Sequence, residues 1–234
     1  MTLINADWKN LVLINYSIDP KLLESYIPKG TELDLHNNKC FVSLVGFMFK
    51  NTKLLGIKVP NLINFEEVNL RFYVKRKVKN EWRRGVVFIK EIVPKHLITF
   101  TANTLYHEHY ETRKMSHKWL NNDNSKTIEY SWELKNRTQT MSIETQKTAS
   151  SIPTESEEAF ITEHYFGYTK KGSTTYEYEV THPKWNQYNV LKYKIDVDFE
   201  SNYGIPFKIL NSKSPDSVIV AVGSQITVKN KLKL

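Results

Sequence analysis

Two long runs rich in β-branched and aromatic residues, Glu67 to Val78 and Trp82 to Val93, are separated by little more than Asn80-Glu81. Runs of this kind read as neighbouring strands joined by a tip. Further strand-like runs are Lys39 to Phe49, Leu97 to Leu105, Thr127 to Leu134, Thr140 to Gln146, Thr174 to Val180 and Ser217 to Val228. An aromatic content of 12 % supports the same reading, because rings pack well on a pleated surface. Two short helices are expected among them. One starts at Asp19-Pro20, with Leu22, Leu23, Tyr26 and Ile27 as its apolar stripe, and stops before Pro28. The other starts at Thr154, whose hydroxyl and the Glu157 carboxylate can cap each other's amides, and runs to about Tyr165. Residues 106–124 fit a helix or a loop, and Gly204 to Pro215 reads as irregular. The expected class is α+β, mainly antiparallel β, in a single domain spanning residues 1–234.

Charge and motifs remove several functions. The formal charge of +8 attracts anions weakly over the whole surface. Its densest part, Lys75-Arg76-Lys77 and Arg83-Arg84 around the tip, is better explained as a solvated edge than as a nucleic-acid patch. Cys40 lies in an apolar run and reads as a small buried hydrophobe. With no basic-then-apolar leader and no long apolar stretch, the expectation is a cytoplasmic protein without a membrane segment. No phosphate-binding or dinucleotide-binding glycine loop occurs, so no cofactor is expected. His107-Glu108-His109 would need a third ligand from His164 or His182 to hold zinc, and surface histidines are the preferred reading; no metal is expected.

The segment Glu67-Val68-Asn69-Leu70-Arg71-Phe72-Tyr73-Val74 is the informative one. Strand periodicity gives one face to Val68, Leu70, Phe72 and Val74 and the other to Glu67, Asn69, Arg71 and Tyr73. That polar face is either exposed or the lining of a polar cavity, in which Glu67 holds Arg71 and Arg71 receives an anionic group in bidentate fashion. Periodicity alone favours exposure, since charged residues are rarely fully buried.

This segment, followed by Arg84-Gly85-Val86-Val87-Phe88, resembles the signature of the YqjF-like bacterial family of unknown function, which has an acetoacetate-decarboxylase-like fold. Further similarity lies in Trp8 with Ile18-Asp19-Pro20, in Phe41 to Phe47, in Phe160 to Tyr168, in Val180 to Trp185 and in Ser217 to Val228. The resemblance implies a cone-shaped β-barrel with a few short peripheral helices and an interior polar cavity. Glu67, Asn69 and Arg71 would then point inward beside Tyr73. Glu163, Tyr165 and His182 would support the cavity, or else serve as a helix end and a strand cap. A small acidic molecule, a carboxylate or keto acid, is the implied partner, and a homo-oligomer is left open.

Acetoacetate decarboxylases use a lysine with a depressed pKa to form a Schiff base. Their Pro-Lys-Lys element would fall near Tyr110 to Met115, where this chain has Arg113-Lys114, no proline and an opposing Glu111. A Schiff-base lyase or hydratase acting on a keto acid therefore stands as the alternative to a binding protein, with Lys114 as its lysine. A basic nucleic-acid-binding protein is the second alternative.

Overall fold

The structure, a computed structural model, describes residues 1–234, the side chain of Leu105 apart. In chain order the strands are β1 (Thr2–Ile18), β2 (Glu32–Leu33), β3 (Cys40–Leu54), β4 (Phe65–Val78), β5 (Glu81–Val93), β6 (Tyr110–Thr112), β7 (Met115–Asn121), β8 (Ser125–Leu134), β9 (Arg137–Ser151), β10 (Phe166–Lys171), β11 (Thr174–Thr181), β12 (Asn186–Asp196), β13 (Ser217–Ala221), β14 (Gln225–Lys229) and β15 (Leu232–Lys233). The α-helices are α1 (His96–Thr101), α2 (Glu157–Thr162) and α3 (Phe199–Tyr203). A π-turn over Ala102–Tyr106 prolongs α1, and 3-10 turns cover Pro20–Tyr26 and Ile205–Asn211.

Seven strands close a barrel in the order β14-β11-β10-β5-β4-β3-β1, with β1 pairing back to β14. It is mixed rather than purely antiparallel, because β10 runs parallel to β5. Five more strands, β13-β12-β9-β8-β7, continue the sheet from β1. They fold back over the barrel wall, so that Val68, Leu70 and Phe72 of β4 share a core with Ile128, Tyr130, Met141 and Ile143. The apolar face read from the sequence therefore looks outward onto a second layer. The polar face, Glu67 to Tyr73, looks into the barrel.

One crossing makes both closures possible. The N-terminal half of β1 pairs with β14 to close the barrel, and its C-terminal half pairs with β13 to begin the extension. Asn10, with φ of 52°, bends β1 between the two; asparagine tolerates that left-handed conformation better than most residues. Opposite it, Gly223 has φ of +83°, and a Cβ there would lie 2.1 Å from the Trp8 carbonyl oxygen. The run expected as one strand, Ser217 to Val228, is thereby divided into β13 and β14.

Other expectations change too. Leu97 to Leu105 is helical, not extended: α1 and its π-turn place Leu97, Ile98, Thr101 and Ala102 over the barrel mouth, and this packing overrides strand propensity. Residues 106–124, left as helix or loop, carry β6 and β7. The 204–215 stretch contains a 3-10 turn, and β1, β10 and β12 were not foreseen. Asp19 does cap its helix, accepting from the Lys21 amide at 3.0 Å, although that helix is 3-10. The second helix is shorter than expected and is capped by Ser156, which accepts from the Ala159 amide at 3.1 Å. Glu157 turns away to accept from the Ser217 hydroxyl instead.

Candidate functional site: a chamber at one end of the barrel

The two ends of the barrel are finished differently. At one end α2 acts as a plug. Phe160 packs against Tyr73 and Phe41, with ring centroids 5.4 and 6.3 Å away, and Ile161 is fully buried. Beside the plug, Asp34 accepts from Arg84 Nε at 2.7 Å and from His164 Nε2 at 3.1 Å. Burial alone would raise the Asp34 pKa, but the bonds from His164 and Arg84 outweigh it and hold it below the usual range. Burial pushes His164 down to about 4, so its ring is neutral and its Nε2 carries the hydrogen toward Asp34.

At the other end the interior is left open. A cavity of about 410 Å³ lies beneath α1 and the loop carrying Val59 and Leu62. Its wall is mainly apolar, with Trp8, Phe49, Phe65, Phe88, Val180 and Val228, and this size is typical of small-molecule sites. The polar part is acidic: Glu67 from β4, Glu91 from β5 and Glu108 from the connection to β6, together with Tyr110 and Tyr178. Glu67 is buried and accepts from Asn69 Nδ2 at 2.9 Å and from the Tyr110 hydroxyl at 3.1 Å. Glu108 accepts from the Thr169 hydroxyl at 2.5 Å.

Burial raises all three carboxyls. It lifts Glu67 to about 7, with the bonds from Asn69 and Tyr110 working against it and the neighbouring Glu108 adding to it. It lifts Glu108 to about 7 against the bond from Thr169 and the charge of Lys231. It lifts Glu91 well above the carboxylate range, helped by the charges of Glu108 and Glu67. Three acids this close titrate as a unit rather than singly.

Of the residues expected from the sequence, Glu67 lines the chamber and Asn69 stands behind it as its hydrogen-bond donor. Arg71 shares their inward face but does not line the chamber, and Glu67 does not form an ion pair with it. The guanidinium turns toward the plug, where Nη2 donates to the Ile161 carbonyl at 3.4 Å. Tyr73 is buried beside His164 at the same end. Glu163 pairs with Lys184 at 3.0 Å. His182 stacks on Trp185 at 4.1 Å and approaches the Pro183 carbonyl at 2.9 Å, as a strand cap would, while Tyr165 packs on its other flank. Lys114 is exposed and lies off the chamber wall. Among the described residues no cluster of histidine, cysteine or acidic side chains has metal-holding geometry. The basic tip is largely neutralised within the chain: Arg76 and Arg83 both pair with Glu177, at 3.0 and 2.5 Å.

Glu91, Glu108, Tyr110 and Tyr178 were missed. Glu91 had a readable signal, an acid inside the run Val86 to Val93, but β5 skips a residue against β4 between Leu70 and Arg71. That bulge, which leaves Ile89 without a partner, shifts the in-and-out phase and returns Glu91 to the inner face opposite Asn69. Glu108 was read with its flanking histidines as part of a metal motif.

The sequence profile of DUF2071, described as an uncharacterized conserved protein, matches residues 5–225. The uncharacterized protein YqjF of Bacillus subtilis is 25 % identical over 187 residues, covering 78 % of this chain and 74 % of that one. Among solved structures, the acetoacetate decarboxylase of Legionella pneumophila is similar with a TM-score of 0.69 at 11 % identity, over 99 % of this chain and 87 % of that chain. The enduracididine biosynthesis enzyme MppR complexed with pyruvate gives 0.67 at 9 % identity, over 100 % and 91 %. These likenesses show the acetoacetate-decarboxylase-like fold. No helix is long and apolar enough to cross a membrane among the described residues.

Proposed function

The chain belongs to the DUF2071 family of uncharacterized conserved proteins, and from the geometry of its barrel we propose that it binds a small, largely apolar molecule in the chamber beneath α1. The observation that carries this reading is a cavity of about 410 Å³, kept open inside a barrel whose opposite end is tightly plugged. Interiors are normally packed to crystal-like density, so an apolar space of this size is a feature to be explained. The expected test is a fluorescence titration with the neutral dye prodan. Saturable binding supports the reading, and Ala102→Trp, which fills the chamber from its roof, lowers affinity about tenfold or more. Absence of binding, or unchanged affinity in Ala102→Trp, counts against it.

A second reading, the acidic ligand expected at Arg71, keeps one observation in its favour. Arg71 Nε is buried without a hydrogen-bond partner. A small carboxylate reaching past the chamber toward the plug would meet that guanidinium. Calorimetry with pyruvate distinguishes the two: Arg71→Leu abolishes pyruvate binding on this reading, whereas equal binding by the variant, or none by the wild type, removes it.

A further inference from the structure

We infer that the chamber recognises a protonated amine, seating an alkylammonium head against Glu67, Glu91 and Glu108 with its apolar tail along Phe65, Phe88 and Val228. This rests on the chamber being the binding site and names the class of ligand it takes.

The argument starts from hydrogen-bond supply and demand. Four side-chain atoms around the chamber are buried without a partner: Glu91 Oε2 and Asn69 Oδ1 among the acids, in residues only 2 % and 1 % exposed, and Thr52 Oγ1 and Trp8 Nε1 on the rest of its lining. The two among the acids are acceptors. The donors bonded to the acids are spent there: Asn69 Nδ2 and the Tyr110 hydroxyl on Glu67, and the Thr169 hydroxyl on Glu108. A ligand that complements these acids in their ionised form therefore brings donors. A carboxylate brings none and adds a fourth negative group, and a ketone brings none either. An ammonium brings three N–H groups and a positive charge.

Charge balance points the same way. Arg71 is turned to the plug and bonds the Ile161 carbonyl. Lys229 reaches the chamber rim but pairs with Glu179 at 2.8 Å. Lys231 lies over the Tyr106 and Tyr176 rings and acts on Glu108 without lining the chamber. Burial raises the pKa values of the three acids, so the chamber retains protons on them. A bound ammonium substitutes for those protons, so its binding releases them to solvent.

The test is calorimetry on the full chain at pH 7 with three probes of equal tail, n-octylamine, 1-octanol and sodium octanoate. The inference expects octylamine to bind at least about tenfold more tightly than octanol, in keeping with a charge-assisted hydrogen bond, and octanoate to bind weakest. Glu91→Gln lowers the amine-to-alcohol ratio toward one. Independently of any variant, repeating the wild-type titration in buffers of different ionisation enthalpy reveals proton release with octylamine and none with octanol. Octanol binding without an amine preference, or octylamine binding without proton release, overturns the inference and leaves the chamber reading standing. Binding of none of the three probes removes both.

Discussion

The strand β4 runs from one end of the barrel to the other, and its two ends treat polar side chains in opposite ways. Glu67 stands at the chamber and Tyr73 at the plug, six residues and roughly 20 Å apart along a strand. At the plug, Asp34 has two cationic or donating partners and Tyr73 heads a chain of hydrogen bonds. At the chamber, three carboxyls share a few neutral donors, and the rim lysine Lys229 pairs with Glu179 instead. Burial acts on both ends by disfavouring charge, which pushes His164 down to about 4 and Glu67 up to about 7. The difference is that the plug end sets its carboxylate against cationic and donating partners from the chain, although Arg71 Nε and His164 Nδ1 stay unpaired there, whereas the chamber end leaves its acids to a few neutral donors.

The largest effect that would sharpen this contrast is at the plug. Asp34→Ala leaves Arg84 and buried His164 without their shared acceptor, and urea denaturation is expected to show a loss of about 3 kcal/mol, since breaking a buried pair strands the surviving partner. Arg84 keeps partial access to water, which sets the value at the low end of the usual range. A loss under about 1 kcal/mol would break the comparison, because the plug would then be no more committed than the chamber.

At the chamber the sign reverses. Glu67 binds its proton more tightly folded than unfolded, so the stability it contributes is full below its unfolded pKa, about 4.5, and is lost as pH rises to about 7. Glu67→Gln removes that loss and is expected to stabilise the protein at pH 8 by on the order of 2 kcal/mol, with little change at pH 4.5. His164 has the opposite linkage: its folded pKa is lowered, so its stabilising contribution is lost as pH falls from about 6.5 to about 4. Because the two windows overlap, the wild-type pH profile alone does not separate them. The difference between Glu67→Gln and wild type does, growing from pH 4.5 to 7 and flat above. A difference independent of pH would show that Glu67 is not held as a buried acid.

How far all this could be read in the sequence depends on how local each cause is. The β4 alternation was legible because period-2 patterning needs no partner. Even so, which face looked inward was not: periodicity favoured solvent for Glu67 and Asn69, and only the second layer contributed by β8 and β9 explains why Val68 and Leu70 point outward. The hairpin of β4 and β5 and the Asp19 cap were equally local. What stayed hidden was decided by long-range geometry. The bulge opposite Leu70 and Arg71 sets the phase of Glu91, the crossing at Gly223 splits the final run, and α1 is helical because it roofs a cavity. Arg71 shows the limit most clearly. Its inward face was implied by family resemblance, but its direction along the barrel axis is set by the Ile161 carbonyl of a helix ninety residues later.

The smallest expected effect tests whether the plug end is a connected network or a set of separate bonds. Ser43 Oγ lies 2.6 Å from Asn15 Oδ1 and 2.6 Å from the Tyr73 hydroxyl. A serine has one hydrogen to give, and the amide oxygen can only accept it, so Tyr73 is the donor to Ser43. Asn15 Nδ2 in turn donates to Ser217 Oγ at 2.9 Å, and Ser217 donates to Glu157 Oε1 at 2.5 Å. Every bond therefore points the same way, from the barrel interior to a carboxylate at the start of α2. Tyr73→Phe removes only the first donor, leaves no buried hydrogen unpaired, and is expected to cost about 1 kcal/mol in urea denaturation. Ser43→Ala costs more, because it strands both the Tyr73 hydroxyl and the Asn15 oxygen. The double variant should then cost less than the sum of the two, since the stranded phenol is gone. Strict additivity would mean that the bonds of this chain do not support one another, leaving the plug to the packing of Phe160 and Ile161 and to the Asp34 bonds.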